Sequence, residues 1–188
     1  MNITFYRKLA YKVADAITRN QQYSEAEIKN ISYGLVCIFS DLYKTILYLL
    51  IFTLLSLTRE FLCAFLPFLF LRPFLGGYHF KNEIVCIIMS FLTMVIAIFA
   101  GKTVIIPFYL QLTLAIFLPV LAFIIAPVNE SQELKGLKKA KAAAVVVSIL
   151  LLLSDFFFMS SNIISWSAIE VYVLAVYQLL ISKYKHKL

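Results

Sequence analysis

Residues 104–126, VIIPFYLQLTLAIFLPVLAFIIA, carry no charged side chain. A helix rises ~1.5 Å per residue, so a run of this length reaches across the ~30 Å hydrocarbon core of a bilayer. Inside lipid a helix satisfies its own backbone hydrogen bonds, which few other shapes can do. Four other stretches are apolar enough to span, three of them with one or two charged residues: about 33–57, 84–100, 142–159 and 163–181. The chain is 62% hydrophobic and 14% charged over 188 residues. A soluble domain cannot hide that much apolar surface. The expected fold is therefore an all-α, polytopic integral membrane protein, a single domain over residues 1–188 without repeats or linkers.

The N-terminal thirty residues are mixed polar, with Arg7, Lys8, Asp15, Arg19, Glu25, Glu27 and Lys29. A cleavable signal would show a short apolar core and a small-residue cleavage site, so insertion by the internal helices is expected. Within residues 3–20, Phe5, Leu9, Val13, Ala16 and Ile17 recur at roughly helical spacing. That pattern fits an amphipathic helix, either lying on the membrane surface or packed on the rest of the protein. The sequence SEAE at 24–27 has the form of a capping box and should start the helix that enters the first apolar run.

The formal net charge is +7. In a membrane protein such an excess of Lys and Arg marks cytoplasmic segments, and nucleic acid is not an expected partner. Lys135, Lys138, Lys139 and Lys141 read as one basic loop, and Lys183, Lys185 and Lys187 as a basic tail. Together with the N-terminal cations these put both termini in the cytoplasm, which requires an even number of crossings. The stretch 61–71 is short, contains Pro67 and is expected to end at Arg72–Pro73. If it crosses, the chain has six spans; the rival is a re-entrant 61–75. The later hairpins are expected to turn at Gly101–Lys102 and Ser160–Asn162. The 72–83 loop then lies on the cytoplasmic side.

That loop opens the stretch RPFLGGYHFKNEIVC, residues 72–86, which holds one of two histidines and one of three cysteines. Gly76 and Gly77 allow backbone conformations closed to other residues. Asn82 is a good N-cap for the apolar helix that follows, which places Cys86 in its first full turn. On one continuous helix His79 and Cys86 would stand ~10.5 Å apart along the axis. With the helix starting at Asn82, the glycine-bearing loop can fold His79 back toward the thiol. The positive end of a helix favours thiolate, and an imidazole can take the proton, while burial in lipid opposes both. The plainer reading is a juxtamembrane loop with an incidental His and a core-filling Cys. Cys37 and Cys63 sit inside apolar runs and read as core filler. Without a CxxC pair or a His/Cys cluster, neither metal nor cofactor is expected.

The spacing Arg72, Gly76, Gly77, His79, Cys86 resembles the accessory gene regulator B (AgrB) family of bacterial membrane peptidases. The YGL at 33–35, the AP at 126–127 and the lysine-rich segment after it are similar to that family as well, so the likeness covers nearly the whole chain. It implies a cysteine endopeptidase of the cell membrane that removes the C-terminal part of a short quorum-sensing pro-peptide. The family's catalytic His and Cys fall on His79 and Cys86, and its Arg on Arg72. One departure is Asn82, where the family often has a small hydroxyl residue; Asn still caps a helix. The resemblance also gives Lys138 and Lys139 an alternative to a topology signal, as an anchor for an acidic peptide tail.

Other polar residues have quieter readings. Asp41 and Lys44, three apart on one helical face, are expected to neutralise each other. Asp155 and Glu170 are expected to face each other across the last hairpin's turn region or to lie near it, with rim exposure open to either. Glu83 is expected to serve the helix dipole, and His186 to be solvated. The rival function is a non-enzymatic transporter or export scaffold for small peptides. It would need a polar path at the bilayer midplane, for which Asp41, Lys44, Gln111 and Gln178 are thin material. Besides the lipid bilayer and the peptide, a second copy of the chain is an admissible partner.

Overall fold

The computed structural model describes residues 5–19, 23–75, 82–126, 134–158 and 162–185. Those residues form seven α-helices. The chain divides into two compact units, residues 1–56 and 57–188.

The first unit is a helical pair, α1 (Phe5–Thr18) and α2 (Glu25–Leu54). The capping box at the start of α2 forms as its sequence suggests. Ser24 Oγ accepts the Glu27 N–H at 3.3 Å, and the Glu27 carboxylate accepts the Ser24 N–H at 2.8 Å. These two bonds satisfy donors that a helix start leaves orphaned. The buried stripe of α1 is Tyr6, Ala10 and Ala14, one residue per turn, packed against α2. Tyr6 stacks on Tyr43 with ring centroids 6.4 Å apart, and Phe5 meets the same ring edge-on. The expected apolar face is therefore not the one that packs. Phe5, Leu9 and Ile17 stay exposed, because the small alanines allow the closer helix approach. In α2, Lys44 is buried and its Nζ lies 3.9 Å from Asp41 Oδ1, the structural pair expected from their spacing.

The second unit is a bundle of α3 (Thr58–Leu75), α4 (Glu83–Thr103), α5 (Phe108–Ile125), α6 (Leu134–Phe158) and α7 (Ile163–Lys185). Three expected boundaries shift. Helix α3 runs from 58 to 75 rather than 61 to 71, with Pro67 and Pro73 inside it. Pro73 gives up the one backbone bond its missing N–H would make to residue 69, and only two helical residues follow it. At ~1.5 Å per residue its 18 residues reach about 27 Å. The turn after α4 falls at 104–107, beyond Gly101–Lys102. Residues 135–141 are the opening turns of α6 and not a loop, as expected of Lys, Leu and Ala, all strong helix formers.

Helix α7 packs against each of the other four. Its buried residues mix Ile163, Ile164 and Val171 with small or polar ones, Ser165, Ser167, Ala168, Tyr172 and Ala175, and the small and polar ones suit helix contacts where lipid supplies no hydrophobic drive. Ser167 Oγ donates to the Ala64 carbonyl of α3. Tyr172 shares a 2.5 Å hydrogen bond with Ser148 of α6, whose hydroxyl also donates to the Ala144 carbonyl. Gly101 of α4 touches the start of α7 so closely that a Cβ there would lie 2.7 Å from Ile163 Cα. Four helices among the described residues are long and apolar enough to cross a membrane: α2, α4, α5 and the 163–181 part of α7. Their outward side chains are largely exposed Leu, Ile, Val and Phe. This is a membrane protein.

Candidate functional site at one end of the bundle

The contacts of α7 order the bundle from end to end. Glu60, at the start of α3, pairs with Lys102, at the end of α4, at 2.6 Å. Gly101 of α4 meets Ile163 at the start of α7. Asp155, near the end of α6, accepts both the N–H and the hydroxyl of Ser165. Trp166 Nε1–H donates to the Val104 carbonyl, and Gln111 is hydrogen-bonded to Asn162. All of these lie at one end. Helices α3 and α7 run away from it, while α4 and α6 run toward it. The end of α3, the starts of α4 and α6 and the end of α7 therefore lie together at the opposite end.

That opposite end collects the described residues singled out from the sequence. Asn82 caps α4 as expected: its Oδ1 accepts the Ile84 N–H at 3.0 Å. Its carbonyl accepts the Cys86 N–H, also at 3.0 Å. Cys86 thus sits in the first turn, on the buried stripe with Met94, Ala97, Ile98 and Gly101, and is only 6% exposed. Arg72, half-buried, lies in the last turn of α3. Lys138 and Lys139 lie in the opening turns of α6, with the Lys139 side chain exposed. Lys141 places its ammonium over the Phe123 ring of α5 at 5.3 Å. Gly76, Gly77 and His79 lie outside the described residues, as does His186.

The cysteines reverse one expectation. Cys37 is exposed on α2 and Cys63 is intermediate, so the buried thiol is Cys86. Hydropathy of the surrounding run does not tell which way a helical side chain points. Asp155 lies near the last hairpin's turn as expected, but it is buried there rather than rim-exposed, and binds the first turn of α7. Glu170 Oε2, Glu83 Oε1 and Gln178 Oε1 are buried atoms without a hydrogen-bond partner. Sequence patterning marks Gln178 only as one polar residue in an apolar run. Its relation to Cys86 depends on how α4 and α7 are paired.

A family model for Accessory gene regulator B matches residues 10–181. The chain belongs to the AgrB family. An AgrB-like protein of Clostridium acetobutylicum is 30% identical over 132 residues, covering 70% of this chain and 63% of that relative. The match thus spans less than two thirds of the relative's length. No solved structure matches. The AgrB match includes Arg72, Asn82, Cys86 and the lysines at the start of α6.

Proposed function

We propose that this AgrB-family protein is a cysteine endopeptidase of the cell membrane that cuts the C-terminal part from a short quorum-sensing pro-peptide. The observation that carries the reading is the position of Cys86. It lies in the first turn of a capped helix, at the bundle end that also gathers Arg72 and the α6 lysines. A helix N-terminus stabilises negative charge on sulfur.

In this reading His79 takes the Cys86 proton, and the thiolate attacks a backbone carbonyl of the pro-peptide. The tetrahedral intermediate collapses as the C–N bond breaks. The leaving amine takes the proton from His79, and the peptide remains as a thioester on Cys86. Water can hydrolyse that thioester, or a Cys or Ser of the peptide can attack it and close a ring. Exchange of one thioester for another is nearly neutral in energy, so a thiolactone forms without ATP. Arg72, Lys138 and Lys139 provide positive charge for an acidic peptide tail. The topology that accompanies this reading has six crossings, α3 and α6 included, with both termini and the Cys86 end in the cytoplasm.

The test is to look beside this gene for a short open reading frame encoding such a pro-peptide and to co-express the two. Cys86→Ala and His79→Ala should each abolish cleavage while the protein still inserts, and Cys37→Ala and Cys63→Ala should leave it largely intact. Normal processing by Cys86→Ala would overturn the reading.

A further inference from the structure

An acyl-transfer site needs a donor for the oxygen that gains charge when the nucleophile adds. Two of the backbone donors nearest Cys86 are already engaged. The Cys86 N–H is committed to the Asn82 carbonyl, and the Ile84 N–H to the Asn82 side chain. The cap that builds the helix start thereby consumes two nearby donors.

Helix pairing brings a side-chain amide to the same level. Helices α4 and α7 are antiparallel, with Gly101 against Ile163. Cys86 lies 15 residues before Gly101, and Gln178 lies 15 residues after Ile163. Both are therefore about 22 Å along their helices from the same contact. A second register agrees. Helices α3 and α7 are parallel, tied by Ser167 to Ala64, and Leu75 and Gln178 each lie 11 residues beyond that tie. Leu75 closes α3 and is fully buried. The faces agree as well. Cys86 shares the buried stripe of α4 with Gly101. Ile163, Ser167, Glu170, Leu174 and Gln178 recur every three or four residues, which is one face of α7.

The Gln178 side chain is also unfinished. Its Oε1 is buried and has no hydrogen-bond partner. A buried acceptor left unpaired costs roughly 1–3 kcal/mol, so such an atom needs an explanation. Glu83 Oε1 shares this state, but Glu83 stands in the first helical turn of α4, where negative charge is favoured. Gln178 has no such compensation.

We propose that Gln178 is a further catalytic residue of the peptidase reaction, resting on the reading of Cys86 as nucleophile. Its Nε2–H donates to the scissile carbonyl oxygen as that oxygen becomes an oxyanion. Its Oε1 accepts a backbone N–H of the same peptide. A side-chain amide carries both functions at once. The substrate thereby satisfies the acceptor that the free protein leaves open.

The experiment uses the full chain in lipid nanodiscs and a synthetic pro-peptide that the unmodified protein cleaves in the co-expression test. Gln178→Met preserves length and apolar bulk and removes both hydrogen bonds; Gln178→Glu keeps the acceptors only. Loss of one oxyanion donor should lower kcat by about 10²–10³-fold in both variants. Iodoacetamide alkylation of Cys86 is a displacement that builds no oxyanion, so its rate should stay within threefold of the unmodified protein. A purely structural role would slow both reactions together, and that result would overturn the proposal. So would a Gln178→Met protein whose kcat is within threefold of the starting protein. If Cys86→Ala still cleaves, the failure lies with the nucleophile assignment and takes this proposal with it.

Discussion

Asp155→Ala tests what holds α7, the helix on which the bundle is built. Asp155 is 5% exposed, and its Oδ2 accepts the Ser165 N–H at 3.1 Å and the Ser165 hydroxyl at 2.5 Å. Helix α7 begins at Ile163, so the Ser165 N–H is one of the donors that a helix start leaves without an internal partner. Asp155 therefore caps α7 from a neighbouring helix. Truncation to Ala leaves the N–H and the hydroxyl buried without their acceptor. At about 1–3 kcal/mol per orphaned group, with the hydroxyl free to turn elsewhere, the loss should be about 2–4 kcal/mol. Asp155→Asn keeps an acceptor oxygen and should cost about 1 kcal/mol, the charge-assisted part. The assay is unfolding in detergent micelles followed by fluorescence. Trp166, the single Trp of the chain, is next to Ser165 and hydrogen-bonded to Val104, so the signal reports this end directly. In a Ser165→Ala background the cost of Asp155→Ala should fall by about 1 kcal/mol, because the hydroxyl is already gone. An Asp155→Ala protein within about 0.5 kcal/mol of the starting protein would refute the view that this carboxylate fastens α7.

Gly101→Ala should destabilise the same end by about 1–3 kcal/mol, since the added Cβ would lie 2.6–2.8 Å from Ile163 atoms, two of them backbone. Thermal unfolding of the variant checks it, and an unchanged midpoint would mean the two helices separate freely. At neutral pH, iodoacetamide should alkylate Cys86 faster than Cys63 despite the deeper burial of Cys86. His79→Ala should slow Cys86 alone, as mass spectrometry at each cysteine would reveal. Exposed Cys37 serves as the accessibility control, and an unchanged Cys86 rate in His79→Ala would uncouple the pair in the resting protein.

Much of the helix plan is legible from local signals. The Ser24–Glu27 box and the Asn82 cap each involve residues within three positions of one another, so the sequence contains everything they need. The lysines before residue 142 look like a loop because charge suggests solvent, yet Lys, Leu and Ala are strong helix formers and α6 begins at Leu134. The proline in Arg72–Pro73 looks like a stop, but it removes only its own i→i−4 bond, and α3 continues two residues further to Leu75. Which thiol is buried is not legible, because apolar runs in lipid lack the polar face that tells a soluble helix which way to turn. The same uniformity hides Asp155 and Gln178. Their partners lie on other helices, and only the pairing of α6 and α4 with α7 gives those residues a setting.

The pairing also bears on the choice between the proposed peptidase and a transport path. A path requires polar groups at several depths along the bundle interior. Gln111 is engaged by Asn162 at the end far from Cys86, and Lys44 is paired with Asp41 in the other unit. Ser148 and Tyr172 satisfy each other between α6 and α7. Between the two ends, the described residue left with an unpaired buried oxygen is Glu170, about two helical turns from Gln178. Among the described residues, the polar groups named here are paired along most of the bundle's length, Glu170 excepted. Its open acceptors, Glu83 Oε1 and Gln178 Oε1, gather at the end that carries Cys86. That distribution suits a site that takes a peptide backbone at one end of the bundle better than one that passes a peptide through it.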